Sequence, residues 1–308
     1  MKQGALHDLP AYPGAARHKN IGAYLSGFDL NHIENDAVYA EIQRAVHEFG
    51  VIFMRDQPLE QAQFVRLGKA FGELESAHPV FGLAKEHPEI QLITFNPDAP
   101  IETQAWHTDN TYNDLPSAYT FLRAVDIPPV GGDTLWASNG AVYDDLSEPV
   151  QEMLSRLVAR HDLYWRLRES NYLLRAGKEG TDAHYMSFTA DHPVVIRHPV
   201  TGRAQIFVHR HFTSGIHHLH EEVSKSILDM LFNMVKQPDY QVRLTWQPNT
   251  VAIWDNWATQ HYATQDYSPY PRAMTRMVGK PKIRPQPLDA LRLYDSGVNW
   301  QRAGLIKK

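Results

Sequence analysis

Trp106-His107-Thr108-Asp109 places an imidazole and a carboxylate two residues apart. In an extended segment residues i and i+2 point to the same side, so His107 and Asp109 can offer one ion a nitrogen and an oxygen donor. Two protein ligands leave a metal largely solvated, so a third donor must come from elsewhere. Two histidines and one carboxylate form the facial triad of non-haem Fe(II) oxygenases. A His-x-Asp match alone is weak in a chain with 17 histidines, and a surface turn pair is the plain alternative.

Further on, the block Trp254-Asp255-Asn256-Trp257-Ala258-Thr259-Gln260-His261-Tyr262-Ala263 follows an apolar run over 251–253. Arg272 and Arg276 then flank and enter a predicted strand over 273–278 and share its parity. An arginine on the inward face of a β core is costly unless it meets an anion, and a carboxylate is its natural bidentate partner. A third block, Gly131-Gly132-Asp133-Thr134-Leu135-Trp136, combines a tight turn with a hydroxyl on the strand that follows. His209 and His211 share one strand face and could line a pocket. His217, His218 and His220 sit at a helix start, where adjacent side chains diverge, and read as solvated.

Positioning these groups requires a scaffold. Val38, Ile42, Val46 and Phe49 recur at helical spacing over 36–50, with Asn35 or Asp36 to cap and Gly50 to stop the helix. Further helices are predicted over 59–71, 141–157 and 219–235. Strands are predicted over 51–54, 119–125, 134–137, 251–254 and 273–278, and a hairpin over 194–197 and 204–208. No repeat or linker divides the chain, which predicts one domain over 1–308. Residues 1–20 read as an N-terminal arm, and the polar stretch over about 165–192 as a lid or mobile insert. The net charge of −5 and the lack of a basic stripe argue against a nucleic-acid partner. The chain has no cysteine, so disulfides, thiolate metal sites and cysteine nucleophiles are excluded. With no secretory leader pattern and no membrane-length apolar run, a cytoplasmic protein without a membrane partner is expected.

Taken together, Phe71-Gly72-Glu73-Leu74, the His107/Asp109 pair, the Gly131–Trp136 block, Trp254-Asp255-Asn256, Thr259-Gln260-His261-Tyr262-Ala263 and the Arg272/Arg276 pair resemble the taurine/2-oxoglutarate dioxygenase (TauD/TfdA-like) family across roughly 20–282. The resemblance implies a mainly β fold with surrounding helices, built on a double-stranded β-helix (jelly-roll) core. It implies Fe(II) held by His107, Asp109 and His261, with the distal carboxylate of the cosubstrate 2-oxoglutarate on Arg272 and Thr134. The implied reaction uses O2 to hydroxylate an unactivated C–H of a small anionic organic substrate, with succinate and CO2 as coproducts.

His78 matches a substrate-contact histidine of taurine-binding members, and Arg276 would face the substrate's acidic group. Phe81 stands where those members carry a tyrosine, and Thr103 where they carry an asparagine. The changes point to a sulfonate, alkyl sulfate, aryloxy or other organic acid rather than taurine. A biosynthetic hydroxylase or desaturase of an amino-acid-derived acid, and a catalytically silent ligand-binding jelly-roll, are the alternatives. A homo-oligomer, dimer or tetramer, is expected from the family. The identity of the prime substrate is not legible.

Overall fold

The computed structural model describes residues 21–27, 29–33, 35–76, 81–94, 105–169 and 186–288. The expected arm over 1–20, His78, Thr103 and the 170–185 part of the expected insert lie outside them. The strands in chain order are β1 (Ala23–Tyr24), β2 (Val51–Met54), β3 (Gly82–Leu83), β4 (Gln91–Thr94), β5 (Tyr119–Asp126), β6 (Thr134–Ser138), β7 (Val158–Asp162) and β8 (Thr189–Pro193). There follow β9 (Val195–Arg197), β10 (Ala204–Ile206), β11 (Thr213–Ile216), β12 (Gln241–Leu244), β13 (Val251–Asp255), β14 (Thr259–Ala263), β15 (Ala273–Gly279) and β16 (Gln286–Pro287). Among the described residues six α-helices accompany them: α1 (Asp36–Phe49), α2 (Gln61–Lys69), α3 (Asn139–Asp144), α4 (Glu148–Leu154), α5 (Leu163–Glu169) and α6 (Glu221–Val235).

One seven-stranded sheet runs β1-β2-β13-β5-β15-β4-β3, and three small sheets run β12-β6-β14, β11-β7-β8 and β10-β9-β16. Side-chain alternation sorts the large sheet's two faces. Ile52, Met54, Phe121, Val251, Ile253 and Met277 pack against Ile42, Val46, Phe64 and Leu67 of α1 and α2. Val51, Phe53, Leu122, Ala252, Trp254 and Met274 point the other way, onto Trp136 of β6 and Leu244 of β12. Trp136 meets the rings of Phe53 at 5.3 Å and Trp254 at 5.5 Å, so two β layers face each other. The small sheets are covered outside by α6 and α3, through Leu228, Leu231, Ala141 and Val142. The fold is therefore mainly β with helices outside.

Local chemistry sets the ends of α1 as its sequence requires. Asn35 Oδ1 accepts from Ala37 N at 2.9 Å, and Gly50, at φ 72°, returns its N–H to Val46 O. The helix predicted over 141–157 is instead two, α3 and α4. Pro149 lacks an N–H and sits in the first turn of α4, where that loss costs nothing. The stretch predicted as a lid is structured at both borders, with α5 before it and β8 paired to β7 at its end. Its polar character hid a strand whose side chains include the buried His192.

Candidate active site

His107 and His261 are directly opposite one another. His107 N donates to His261 O at 3.0 Å and His261 N to His107 O at 2.8 Å, an antiparallel bridge. Cross-strand pairing brings the two imidazole centroids to 4.0 Å. Asp109 follows His107 by one strand repeat. Its Oδ1 lies 4.0 Å from Nε2 of both histidines. That gap is too long for a hydrogen bond, but two metal bonds of about 2.1 Å span it. The three side chains are buried, and one ligand atom from each lies within 4.8 Å of the others. Among the described residues no other trio of histidine, cysteine or acidic side chains gathers in this way.

Their protonation states suit ligation. His107 Nδ1 meets Ala105 O at 2.8 Å, which puts the proton on Nδ1 and leaves Nε2 as a lone pair toward the triad. Burial lowers the pKa of His107 and holds that of His261 well below the ordinary value, so both imidazoles are neutral. For Asp109 burial opposes ionisation, but the Arg276 guanidinium and the two imidazoles outweigh it and hold the carboxyl below its usual range. The donor set, two neutral imidazoles and a carboxylate, is already in the form that binds a divalent cation.

The large sheet supplies the braces. Thr120 Oγ1 on β5 donates to Asp109 Oδ2 at 2.6 Å, and Arg276 Nη1 on β15 donates to Asp109 Oδ1 at 3.0 Å. Asn256 Nδ2 donates to Thr120 Oγ1 at 2.8 Å, while its Oδ1 accepts from Trp254 Nε1 at 2.9 Å. Asn110, at φ 56°, turns the chain immediately after Asp109. Its Nδ2 donates to Ser117 Oγ at 2.9 Å and Glu75 Oε2 at 3.2 Å. Thr120, Asn110, Ser117 and Glu75 escaped sequence reasoning. The one local signal was an asparagine, a residue that tolerates the left-handed region, directly after the ligand carboxylate.

Both arginines expected to seek anions are buried, and they divide the work. Arg276 Nε donates to Gln91 Oε1 at 2.8 Å, its guanidinium lies 4.9 Å from the Phe81 ring centroid, and Nη2 has no partner among the described residues. Its first bond is thus to the triad carboxylate, a contact the sequence did not reveal. Arg272 is 8% exposed and meets no carboxylate among the described residues; its neighbour is the Tyr267 ring at 5.7 Å, and its Nε is unpartnered. Burial lowers its pKa, the mark of a cation held away from water. A Cβ on Gly132, whose φ is 71°, would lie 3.2 Å from Arg272 Nε, so the glycine turn sets the space beside this guanidinium. Two residues along, Thr134 Oγ1 accepts from Trp246 Nε1 at 2.9 Å and keeps its own proton to donate. A buried cation that meets no carboxylate among the described residues suits a carboxylate ligand, and Thr134, two residues beyond Gly132, has a hydroxyl proton to offer.

His209 and His211 diverge. His211 stacks on His107 at 4.9 Å. His209 Nε2 meets Thr111 Oγ1 at 2.8 Å, and the same hydroxyl meets His161 Nδ1 at 2.8 Å. Nearby, His192 Nε2 lies 2.8 Å from Thr111 O. Burial lowers the pKa of His192 from 6.5 to about 4, and those of His161 and His209 also fall well below 6.5. Such groups take up protons more readily in the unfolded chain, so their contribution is complete above pH 6.5 and is lost as the pH falls toward 4. His192 alone accounts for about 3 kcal/mol across that window. Urea midpoints should therefore fall steeply between about pH 7 and about pH 5, and less steeply in His192→Asn. A midpoint that holds constant over that interval would contradict the assignment.

Two imidazoles on a cross-strand pair and a carboxylate one repeat away leave half the positions of a six-coordinate ion open, as in the non-haem iron oxygenases. Comparison with known proteins gives the same class from an independent direction. The chain belongs to the family described as "Taurine catabolism dioxygenase TauD, TfdA family", whose model matches residues 10–278. Enzymes of this family are iron(II)- and 2-oxoglutarate-dependent dioxygenases, and the chain is an oxidoreductase of that class. It is 32% identical over 260 residues to an alpha-ketoglutarate-dependent sulfonate dioxygenase of Saccharomyces cerevisiae, covering 80% of this chain and 61% of the yeast protein. With an alpha-ketoglutarate-dependent sulfate ester dioxygenase of Pseudomonas putida it shares 31% identity over 281 residues, 88% of this chain and 89% of that protein. A crystal structure of a taurine dioxygenase from Burkholderia xenovorans superposes with a TM-score of 0.74 at 30% identity, covering 86% of this chain and 88% of the other. No helix among the described residues is long and apolar enough to cross a membrane.

Proposed function

We propose that the chain hydroxylates an unactivated C–H of a small anionic organic substrate, a sulfonate or sulfate ester being favoured over taurine. In this reading His107, Asp109 and His261 hold Fe(II), and Arg272 with Thr134 takes the distal carboxylate of 2-oxoglutarate. The facing β layers form a double-stranded β-helix, and residues 1–308 make one domain. A cytoplasmic homo-oligomer completes the proposal. One observation carries it: the convergence of two imidazoles and a carboxylate within 4.8 Å, buried and already in their ligating states. The bound metal, with 2-oxoglutarate and O2, supplies the oxidising equivalent, and succinate and CO2 are the coproducts.

The chain's own residues orient and exclude water. Thr120 and Arg276 fix the Asp109 carboxylate, and the Ala105 carbonyl fixes the His107 tautomer. Arg276 Nη2, buried and unpartnered, is the donor left for the substrate's acidic group. Phe81 lies over that guanidinium with an apolar ring that offers a substrate no hydrogen bond. This is the basis for favouring a less polar substrate than taurine. The two relatives named for sulfonates and sulfate esters support the same substrate class.

The test is anaerobic addition of 2-oxoglutarate to Fe(II)-loaded protein. A weak visible charge-transfer band should form. On admission of O2 with an alkyl sulfate or a sulfonate, succinate should accumulate with inorganic sulfate or sulfite. A protein that binds iron and forms no band would refute the cosubstrate assignment. A band without substrate-stimulated succinate would refute the substrate class.

A further inference from the structure

His211 lies in the turn between β10 and β11, two residues after His209, and the two side chains have different fates. Both ring nitrogens of His209 are engaged, Nε2 by Thr111 Oγ1 at 2.8 Å and Nδ1 by Phe212 N at 3.4 Å. His211 has one bond only among the described residues: Arg166 Nε, on α5, donates to its Nδ1 at 3.2 Å. A guanidinium does not deprotonate in a protein, so the lone pair must be on Nδ1 and the proton on Nε2. No hydrogen bond engages that Nε2–H among the described residues, and although the His211 ring is only 9% exposed, this atom is not among the fully enclosed ones, so the donor reaches accessible space. A donor held in one tautomer and left accessible can meet an acceptor oxygen of a ligand.

The ring's position says where such a ligand would lie. His211 is stacked on His107 with centroids 4.9 Å apart and planes inclined by 34°. Phe212 closes the other side, 4.5 Å from His211 and 6.5 Å from His107. The ring that carries the unpaired donor therefore borders the metal triad through His107. Arg166 behind the ring places a second fixed cation near the site.

We propose that His211 is a specificity-determining residue: its Nε2–H donates to an acceptor oxygen of the anionic substrate beside the triad, while Arg166 fixes the tautomer that makes it a donor. The proposal rests on the anionic-substrate reading above. Arg276 and His211 would then grip the substrate's oxygens from two sides, and the carbon between them is presented to the metal.

Two variants of the full chain separate a donor from a packing ring. His211→Phe keeps a flat ring against His107 and removes the donor; His211→Gln restores an N–H. Each protein is loaded with Fe(II) and 2-oxoglutarate without O2, and the charge-transfer band is titrated with hexyl sulfate, hexane-1-sulfonate and phenoxyacetate. At least one probe should perturb the wild-type band. For that probe the apparent Kd should rise about tenfold or more in His211→Phe and recover largely in His211→Gln, with the probe-free band unchanged in both. In air, His211→Phe should consume more 2-oxoglutarate per product formed. An unchanged Kd in His211→Phe would overturn the proposal, as would failure of His211→Gln to recover binding. Loss of the probe-free band in His211→Phe would also overturn it, by showing that the ring serves the metal centre. If no probe perturbs the wild-type band, the anionic-substrate reading itself fails and the inference falls with it.

Discussion

Asp109→Asn should lower Fe(II) affinity by two orders of magnitude or more and abolish the 2-oxoglutarate charge-transfer band. The physical reason is that Asp109 supplies the single negative charge of the triad, and a neutral amide oxygen is a much weaker donor to a divalent cation. Asparagine keeps the shape and an oxygen for the Thr120 hydroxyl, so the fold is retained. The second consequence concerns Arg276. Its Nη1 donates to the Asp109 carboxylate within a buried site, and removing that charge leaves a guanidinium in low dielectric without its anion. Breaking a buried pair from one side costs about 3–5 kcal/mol, so the melting temperature should drop by several degrees as well. Metal titration followed by calorimetry separates the effects. A variant that binds iron normally would refute the ligand assignment, whatever its stability.

Arg272→Met should have the opposite sign in stability and a comparable effect on function. The wild-type guanidinium is buried and faces no carboxylate among the described residues, so it costs free energy in the ligand-free protein. An apolar side chain of similar length removes that cost, and the ligand-free melting temperature should stay level or rise. For 2-oxoglutarate the loss is large. Truncating one partner of a buried charge-assisted pair costs about 2–5 kcal/mol, which is a loss of roughly 30-fold to roughly 4,000-fold in affinity. Wild-type protein should gain thermal stability with added 2-oxoglutarate through mass action, and Arg272→Met should show no such gain. Iron affinity should be unchanged, because Arg272 touches none of His107, Asp109 or His261. A normal 2-oxoglutarate KM in the variant would place the cosubstrate elsewhere.

Arg272 and Asp109 differ in how far their surroundings can be read from the chain. The burial of Arg272 is legible in the amino-acid order alone: an arginine at the mouth of an apolar strand, after a glycine turn and a threonine, is expected inside, and the structure buries it. Asp109 is half legible. Two-residue parity places His107 and Asp109 on one side, but the bond from Arg276 to Asp109 depends on how β15 lies against β5. The residues proposed for the substrate are least legible, since Phe81 and Arg276 meet only in the fold, and His78 and Thr103 lie outside the described residues. His209 and His211 share a parity in sequence, yet they end in different surroundings because the chain turns between β10 and β11.

What the sequence determined by itself is what nearest neighbours control. Asn35 and Gly50 set the ends of α1, the alternation of β2, β5 and β13 sorts their faces, and Gly131-Gly132 make the turn before Thr134. These follow from dihedral preferences and from side-chain periods of 3.6 and 2, which require no distant partner. Only the tertiary structure decided that His261 stands opposite His107, that Arg276 completes Asp109, and that the donor of His211 borders the triad. Each depends on strand register between segments far apart in the chain, and register is a property of the assembled sheets and the core they enclose.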